Sequence, residues 1–273
     1  MKQKKKINYV TVFALVILTI VFAMVAFPGL FTSYDPLGVS MSEKLLGPSK
    51  EHWLGTDEFG RDIFCRIVYG ARSSISVGLG TACLSALIGV PLGLIAGYYG
   101  GWIDNVLMRI MDAFQSFPST LLAILLSTMF ETSAKSLILT ISAVSFPRFA
   151  KLVRSNVLVV KKQEYIAAAR VAGVSKPYIL FRSILLNCMS AIVVQFSMLT
   201  ATAILIEAGM SFLGLGIQPP EPAWGSMLFY ANKYINSNIC YVLSPTFTIF
   251  LVVLSINLLG DALRDKLDPK KKN

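Results

Sequence analysis

The longest uncharged stretches of this chain are the feature that most restricts its fold. Residues 9–27 contain nineteen consecutive positions without a charged side chain. A helix of that length covers about 28 Å, close to the thickness of about 30 Å of a bilayer's hydrocarbon core. Only helices and closed barrels satisfy their backbone polar groups in lipid, so we predict a membrane-spanning helix here.

Five further apolar stretches predict a total of six spans and an all-α, polytopic membrane protein. The composition agrees, since 55% of the residues are hydrophobic and only 15% are charged, against about 25% charged in soluble domains. The first stretch exceeds the about 7–15 apolar residues of a cleavable signal peptide, so we expect it to be retained as an anchor. A polar reversal is expected at 131–136. The predicted spans cover residues 9–27, 75–99, 114–130, 137–153, 189–213 and 241–260.

Charged side chains are distributed unevenly between the two faces that these spans define. If the N-terminus is cytoplasmic, the inside segments carry 18 of the 25 Lys and Arg residues and the outside segments carry seven. This excess of positive charge inside predicts that both termini are cytoplasmic. The net charge of +10 is then an orientation signal for which anionic lipid headgroups are a sufficient partner, and nucleic acid is not an expected partner.

The chain lacks the side chains that common catalytic and metal sites need. It has one histidine, His52, and four cysteines that lie far apart with no CxxC pair. It also has no G-x-S-x-G nucleophile motif. We therefore expect no catalytic residue, no metal site and no cofactor bound by this chain. Pairing of Cys65 with Cys240 on the outer side is left open.

The cytoplasmic residues 161–177 are too polar to enter the bilayer and are expected to form two short helices. Residues 164–172 have the Ala-rich composition of a helix, which Gly173 ends. Ser175 is placed to cap a second helix that has Pro177 close to its start. Two interpretations stay open: a docking site whose small side chains let a partner approach the backbone, or an amphipathic segment on the membrane surface.

Seven residues of this segment carry a resemblance to a known family. They follow the pattern of the EAA loop of ABC-transporter permeases, in particular of importers for peptides and nickel. In that family the loop, here about residues 158–187, forms coupling helices that dock onto ATPase subunits. Ala167 and Leu186 depart from the usual pattern, which has Glu and Pro at these positions. The matching residues are Glu164, Tyr165, Ala168, Ala169, Arg170, Gly173 and Pro177.

A second segment is predicted on the external side. Gly55 and Gly60 have the spacing of a P-loop, but Arg61 and Asp62 follow where Lys and Ser or Thr are required, so no nucleotide site is predicted. The residues themselves indicate an ordered turn with glycine dihedrals and local pairing between Arg and Asp. The segment is also similar to the family's N-terminal signature, which is complete here. The residues concerned are Gly55, Thr56, Asp57, Gly60, Arg61 and Asp62.

A third segment, residues 211–228, contains three prolines that end any helix and predict a rigid external ledge. We expect Trp224 to lie at the membrane interface, which tryptophan favours. This segment too is similar to a family hallmark, as are residues 257–265. The residues singled out are Gln218, Pro219, Pro220, Trp224 and Gly225.

Few charged side chains fall inside or beside the predicted spans. Glu207 is the only carboxylate well inside one. In lipid it must face other helices or a watery path, so it is either a pathway residue or a hydrogen-bonding group between helices. Asp104, Arg109 and Asp112 flank the cytoplasmic mouth, and the i, i+3 spacing of Arg109 and Asp112 predicts a local salt bridge.

The resemblance implies a specific architecture and function. The implied fold is that of type I ABC importers, with an anchor helix and external loop in residues 1–74 and the core in residues 75–273. The chain would be one of two homologous permease subunits that form a pathway for di- and oligopeptides in the bacterial cytoplasmic membrane. Two ATPase subunits would hold ATP and Mg²⁺, and an extracytoplasmic binding protein would deliver the solute.

Three alternative functions are considered. A permease for nickel or a metal chelate is a close rival within the same importer class. A proton-coupled secondary carrier would need a relay of several buried acids and internal repeat symmetry, whereas the sequence has one such acid and no detected repeat. A passive channel subunit would need a polar ring around its pore, and none is visible.

Overall fold

The computed structural model describes residues 9–267, and residues 1–8 and 268–273 lie outside the described part of the chain. The described residues form α-helices joined by turns and by one long segment, residues 27–62, with no β-strand among them. The predicted cytoplasmic position of the two termini falls outside the described residues and stays a prediction. In chain order the helices are α1 (Tyr9–Ala26), α2 (Ile63–Tyr99), α3 (Gly101–Gln115), α4 (Ser119–Ser127), α5 (Ala134–Val160), α6 (Glu164–Val171), α7 (Lys176–Tyr178), α8 (Leu185–Phe212), α9 (Trp224–Ala231) and α10 (Ile239–Leu267).

Among residues 9–267, five helices are long and apolar enough to cross a membrane. They are α1, α2, α5, α10 and the continuous helix Lys176–Phe212, in which a π-helical turn joins α7 to α8. A sixth span results if α3 and α4 count as one bent pair. The single helix predicted over 114–130 was wrong, because the chain bends by 82° between α3 and α4. Pro118 lies at this bend, where it offers no N–H to a helical ladder and restricts the residue before it.

The connection between α4 and α5 is the tight reversal predicted at 131–136. Ser133 occupies the N-cap position of α5, and its side chain accepts the amide of Ser136 at 3.1 Å. A capped start satisfies one of the amides that a helix leaves without a partner. The cap therefore defines where the chain enters α5.

Helix α2 begins at Ile63, whereas the span predicted from hydropathy begins at residue 75. The difference arises because Arg72 ends the uncharged stretch on its N-terminal side, and a second cation, Arg66, precedes it by six residues. In the structure Arg66 is buried, and its Nη1 donates to the carbonyl of Pro36 at 2.8 Å. Helix α2 is therefore continuous across residues 74 and 75, and the division of the chain at that point stays a prediction.

Small residues hold α2 against α5. Gly89, Gly93 and Gly97 face α5 at intervals of four residues, and a Cβ atom added at any of them would clash with atoms of α5. Such stripes let two membrane helices approach closely and gain van der Waals contact. Phe149 of α5 and Ile184 of the π-helical turn belong to the core cluster that continues from this contact. Helices α2 and α5 thus form a close pair on which the other elements pack.

Helix α3 is held to α5 by two ion pairs. Arg154 donates through Nε and Nη2 to the two carboxylate oxygens of Asp104, at 2.8 and 2.6 Å. Lys151 Nζ lies 2.6 Å from Asp112 Oδ1. The local salt bridge predicted between Arg109 and Asp112 was wrong, because the cation that pairs with Asp112 comes from a neighbouring helix.

Candidate functional site

Residues 164–178, which we call the elbow, contain the short helix α6, a tight turn, and α7, which is the first turn of the continuous helix Lys176–Phe212. Gly173 has a φ of +75°, a left-handed conformation that residues with a side chain rarely adopt. Its amide donates to the carbonyl of Arg170 at 3.1 Å. Ser175 stands at the N-cap position of α7, but its side chain makes no capping bond, so the capping expected from its hydroxyl was wrong. The turn therefore depends on the glycine.

One face of the elbow is anchored on the rest of the chain. Ile166 is fully buried and shares a core cluster with Leu94 of α2 and with Ile179. Lys161, just before the elbow, donates from Nζ to the carbonyl of Gly97 at 2.7 Å. These contacts tie the elbow to the end of α2.

The rest of the elbow surface is exposed and largely apolar. Val171 is 91% exposed, and Tyr165 and Tyr178 are about half exposed. Large apolar side chains grouped on a surface favour contact with another protein. Ala169 is half-buried in the anchored face. The other predicted coupling residues are all exposed: Glu164, Tyr165, Ala168, Arg170, Gly173 and Pro177.

Glu207 is fully buried where α2, α8 and α9 meet. Ser74 Oγ donates to Oε2 at 3.3 Å, and Ser211 Oγ donates to Oε1 at 2.8 Å. Ser74 Oγ also accepts the backbone amide of Trp224 at 3.2 Å, so the cluster joins all three helices. None of the ion pairs among the described residues includes Glu207. This is the geometry of a hydrogen-bonding group between helices, and a pathway role stays a prediction.

The external signature forms one tight turn. Thr56 and Asp62 pair in an isolated antiparallel bridge, and the side chain of Asp57 between them is fully buried. Gly55 and Gly60 have φ values of +80° and +74°, and a Cβ atom on either would clash with the backbone of residues 40–47. The ordered turn with glycine dihedrals is therefore present, and it packs directly on the preceding segment.

Asp57 is the centre of a buried charge network. Its Oδ2 accepts a hydrogen bond from Arg61 Nε at 2.6 Å and lies 3.5 Å from Arg66 Nε. The neighbouring Glu58 accepts a hydrogen bond of 2.6 Å from the hydroxyl of Tyr241, which links the turn to α10. The pairing of Arg with Asp within this segment was predicted, whereas Tyr241 was missed because it lies in α10, far along the chain.

The single histidine belongs to the same turn. His52 Nδ1 lies 2.9 Å from Asp62 Oδ2, and Asp62 Oδ1 accepts the amide of Cys65 at 2.6 Å at the start of α2. Cys65 donates to the carbonyl of Tyr34, and both Cys65 and Cys240 are free thiols. Among the described residues no three metal-ligating side chains converge. The polar side chains of the turn thus bond mainly to groups of the turn itself, which indicates a structural role.

The segment that contains the three prolines, residues 213–223 before α9, lies on the same side of the molecule as the external turn. Gln218 Nε2 donates to the carbonyl of Gly214 at 2.9 Å, and the two prolines that follow are exposed. Trp224 is fully buried, and its Nε1 donates to the carbonyl of Ile67 at 3.0 Å. The ring is therefore covered by protein and its N–H is bonded within the fold, and the level of Trp224 relative to the membrane interface stays a prediction. Gly225 has no room for a side chain beside α8.

Comparison with known families identifies the class of membrane protein. Residues 89–273 match the family described as binding-protein-dependent transport system inner membrane component. The chain belongs to this family. It is a multi-pass inner-membrane permease subunit of a transport system, as the resemblance stated from the sequence implied.

Two relatives of this permease are similar over most of their length. The permease is 46% identical over 272 residues to the dipeptide transport system permease protein DppC of Alkalihalophilus pseudofirmus, covering 100% of this chain and 89% of that protein. It is 47% identical over 227 residues to the glutathione transport system permease protein GsiD of Pectobacterium atrosepticum, covering 83% of this chain and 75% of that protein.

The fold of the permease has a solved counterpart. An inward-facing structure of the MetNI methionine ABC transporter matches with a TM-score of 0.63 at 18% identity, covering 74% of this chain and 96% of that one. At this identity the match concerns the fold alone. The predicted all-α fold of type I ABC importer permeases is therefore confirmed.

Substitution of Glu207 in the permease separates its two interpretations. We expect Glu207→Gln to keep solute uptake within about threefold of wild type, because the amide can bond both serine hydroxyls. Glu207→Leu should lower thermal stability, since each buried hydroxyl left without its partner costs about 1–3 kcal/mol. Uptake and unfolding of the purified variants measure both effects. A larger loss of uptake by the Gln variant with unchanged unfolding would assign a pathway role to the carboxylate.

Proposed function

We propose that this permease forms, together with a homologous permease, the membrane pathway of an ATP-driven importer for di- and oligopeptides. The observation that carries the proposal is the elbow, whose one face is anchored on α2 while the remaining face is exposed and apolar. The names of the two relatives, which refer to a dipeptide and to glutathione, support short peptides as the substrate class.

The elbow would transmit movement from two ATPase subunits. Those subunits, and not the permease, would bind ATP and Mg²⁺. When the ATPase subunits close, the exposed face of the elbow moves with them. The buried Ile166 and the bond from Lys161 to Gly97 pass this movement to α2. Since α2 is closely packed on α5, the helices would rock as a rigid body between two access states.

The opposite end of the helices would receive the substrate. An extracytoplasmic binding protein would dock on the external turn and the proline segment, with both termini of the permease in the cytoplasm. The hydrogen bond between Glu58 and Tyr241 joins the external turn to α10, so a force applied outside reaches a spanning helix. Nickel or a metal chelate is an alternative solute of the same importer class.

Transport by the reconstituted complex tests the proposal. The permease, its paired permease, the ATPases and the binding protein are placed in proteoliposomes, and uptake of a radiolabelled dipeptide is measured. We expect uptake that requires ATP on the ATPase side and is insensitive to a proton ionophore. Uptake that continues without ATP but stops with the ionophore would show a proton-coupled carrier. ATP-dependent uptake of a nickel chelate but not of dipeptides would show the alternative solute.

A further inference from the structure

A cavity lies between the elbow and the end of α2, and we infer that it binds the headgroup of an acidic phospholipid. The cavity has a volume of about 410 Å³. This inference rests on the proposed cytoplasmic position of the elbow, and the lipid would come from the inner leaflet. The lining residues are Tyr98, Tyr99, Arg170, Val174, Lys176 and Ile179.

Two cations of the cavity have no carboxylate partner within the described chain. Arg170 and Lys176 take part in none of the ion pairs formed among residues 9–267. The guanidinium of Arg170 lies 5.5 Å from the ring centre of Tyr98, which holds the charge beside the cavity. In the sequence around them, residues 158–187 contain five Lys and Arg and a single carboxylate, Glu164. The cavity therefore favours an anion.

The position of the cavity matches the level of lipid headgroups. Tyr98 and Tyr99 are the last two residues of the spanning helix α2, and tyrosine is enriched where membrane helices meet the headgroups. Clusters of Lys and Arg on the cytoplasmic side of such helices attract anionic lipids. The two tyrosines and the two cations thus offer an apolar wall and a charged end to the same ligand.

A lipid fits better than a small anion because an apolar stripe leads away from the cavity. Ile88, Ile95 and Tyr99 are exposed along one face of α2 at spacings of seven and four residues, and this stripe ends at the cavity with Tyr99. An acyl chain can cover this stripe while the phosphate lies between Arg170 and Lys176. Inorganic phosphate would use only the charged end. A carboxylate of a partner protein would also leave the stripe uncovered.

Lipid retention by the purified full complex tests this inference. The complex is extracted in mild detergent, loaded with tritiated phosphatidylglycerol and washed, and the lipid retained per permease is counted. The double variant Arg170→Gln/Lys176→Gln should retain at least about tenfold less lipid than wild type. The matched double variant Lys162→Gln/Arg182→Gln removes two charges from the same segment outside the cavity and should retain the lipid.

Competition and partner binding distinguish the other possible ligands. Phosphatidylcholine and inorganic phosphate should not displace the label, and displacement by inorganic phosphate would indicate a small-anion site instead. Equal lipid loss in both double variants would show general electrostatic attraction and overturn the inference. A double variant that keeps the lipid but no longer binds the ATPase subunits would place the two cations in the interface with those subunits. If both are lost, Tyr99→Ala decides, since Tyr99 lines the cavity from the end of α2, outside the elbow, and this variant should keep the ATPases and lose the lipid.

The position of the elbow is tested separately. A cysteine is introduced by Ala172→Cys, an exposed position of the elbow, into a variant whose four native cysteines are replaced by alanine, and it is labelled with a membrane-impermeant maleimide in inside-out vesicles and in whole cells. Labelling only in inside-out vesicles is expected. Labelling only in whole cells would refute the proposed orientation, whereas a failed retention experiment with correct labelling would refute the lipid site alone.

Discussion

Replacing Gly173 with arginine should lower uptake by at least about tenfold while the permease still reaches the membrane. A Cβ atom at this position would point into open space, so a new side chain meets nothing until a partner covers the elbow. The left-handed φ of +75° adds about 1–2 kcal/mol of strain, which is small beside a typical stability of about 5–15 kcal/mol. In the assembled complex, the arginine would separate the elbow from the ATPase surface.

The measurement compares uptake with ATP hydrolysis in the same proteoliposomes. We expect ATP hydrolysis to continue without proportionate uptake, because the ATPase subunits would no longer move the elbow. Gly101→Arg is the matched control, since Gly101 has a φ of +55° and equally open surroundings but lies outside the elbow, at the start of α3. That control should keep the wild-type ratio of solute moved to ATP hydrolysed. Unchanged uptake in Gly173→Arg would refute docking at the elbow.

Replacing Asp57 with alanine should strongly destabilise the permease. The carboxylate is fully buried and faces Arg61 at 2.6 Å and Arg66 at 3.5 Å. Removal of one member of a buried charge network costs about 3–5 kcal/mol, because the remaining charges stay buried without compensation. That cost is a large part of a typical folding free energy of about 5–15 kcal/mol.

The amount of permease in membranes and its unfolding temperature in detergent measure this loss. Glu221→Ala is the matched control, because it removes an exposed carboxylate from the segment before α9. The control should unfold as wild type does. Asp57→Asn, which keeps the shape and part of the hydrogen bonding, should fall between the two. If Asp57→Ala unfolded at the wild-type temperature, the network would contribute nothing measurable to stability.

Local patterns in the sequence predicted the parts of the fold that depend on neighbouring residues. The elbow was predicted with its helix at 164–172 and its turn at Gly173, because Ala-rich composition and glycine act over one or two helical turns. The external turn with its paired Asp57 and Arg61 was predicted for the same reason. Asp57 and Arg61 are four positions apart, and the signals of the elbow act within one or two helical turns, so local spacing carries most of the information.

Other features depend on contacts between residues that are far apart in the sequence, which local spacing does not reveal. Asp112 was assigned to Arg109 but pairs with Lys151 of another helix. Trp224 is buried against α2, where the carbonyl of Ile67 accepts its N–H. In each case the partner lies many residues away, and only the packing of the helices brings it within reach.

The sequence by itself determined which segments are apolar enough to enter lipid and where the polar elbow interrupts them, because the transfer of a helix into a bilayer depends mainly on its own side chains. Only the tertiary structure decided the burial of Arg66 at the start of α2 and the serine partners of Glu207. These depend on groups from distant parts of the chain. A buried polar group must find its partner wherever packing places one.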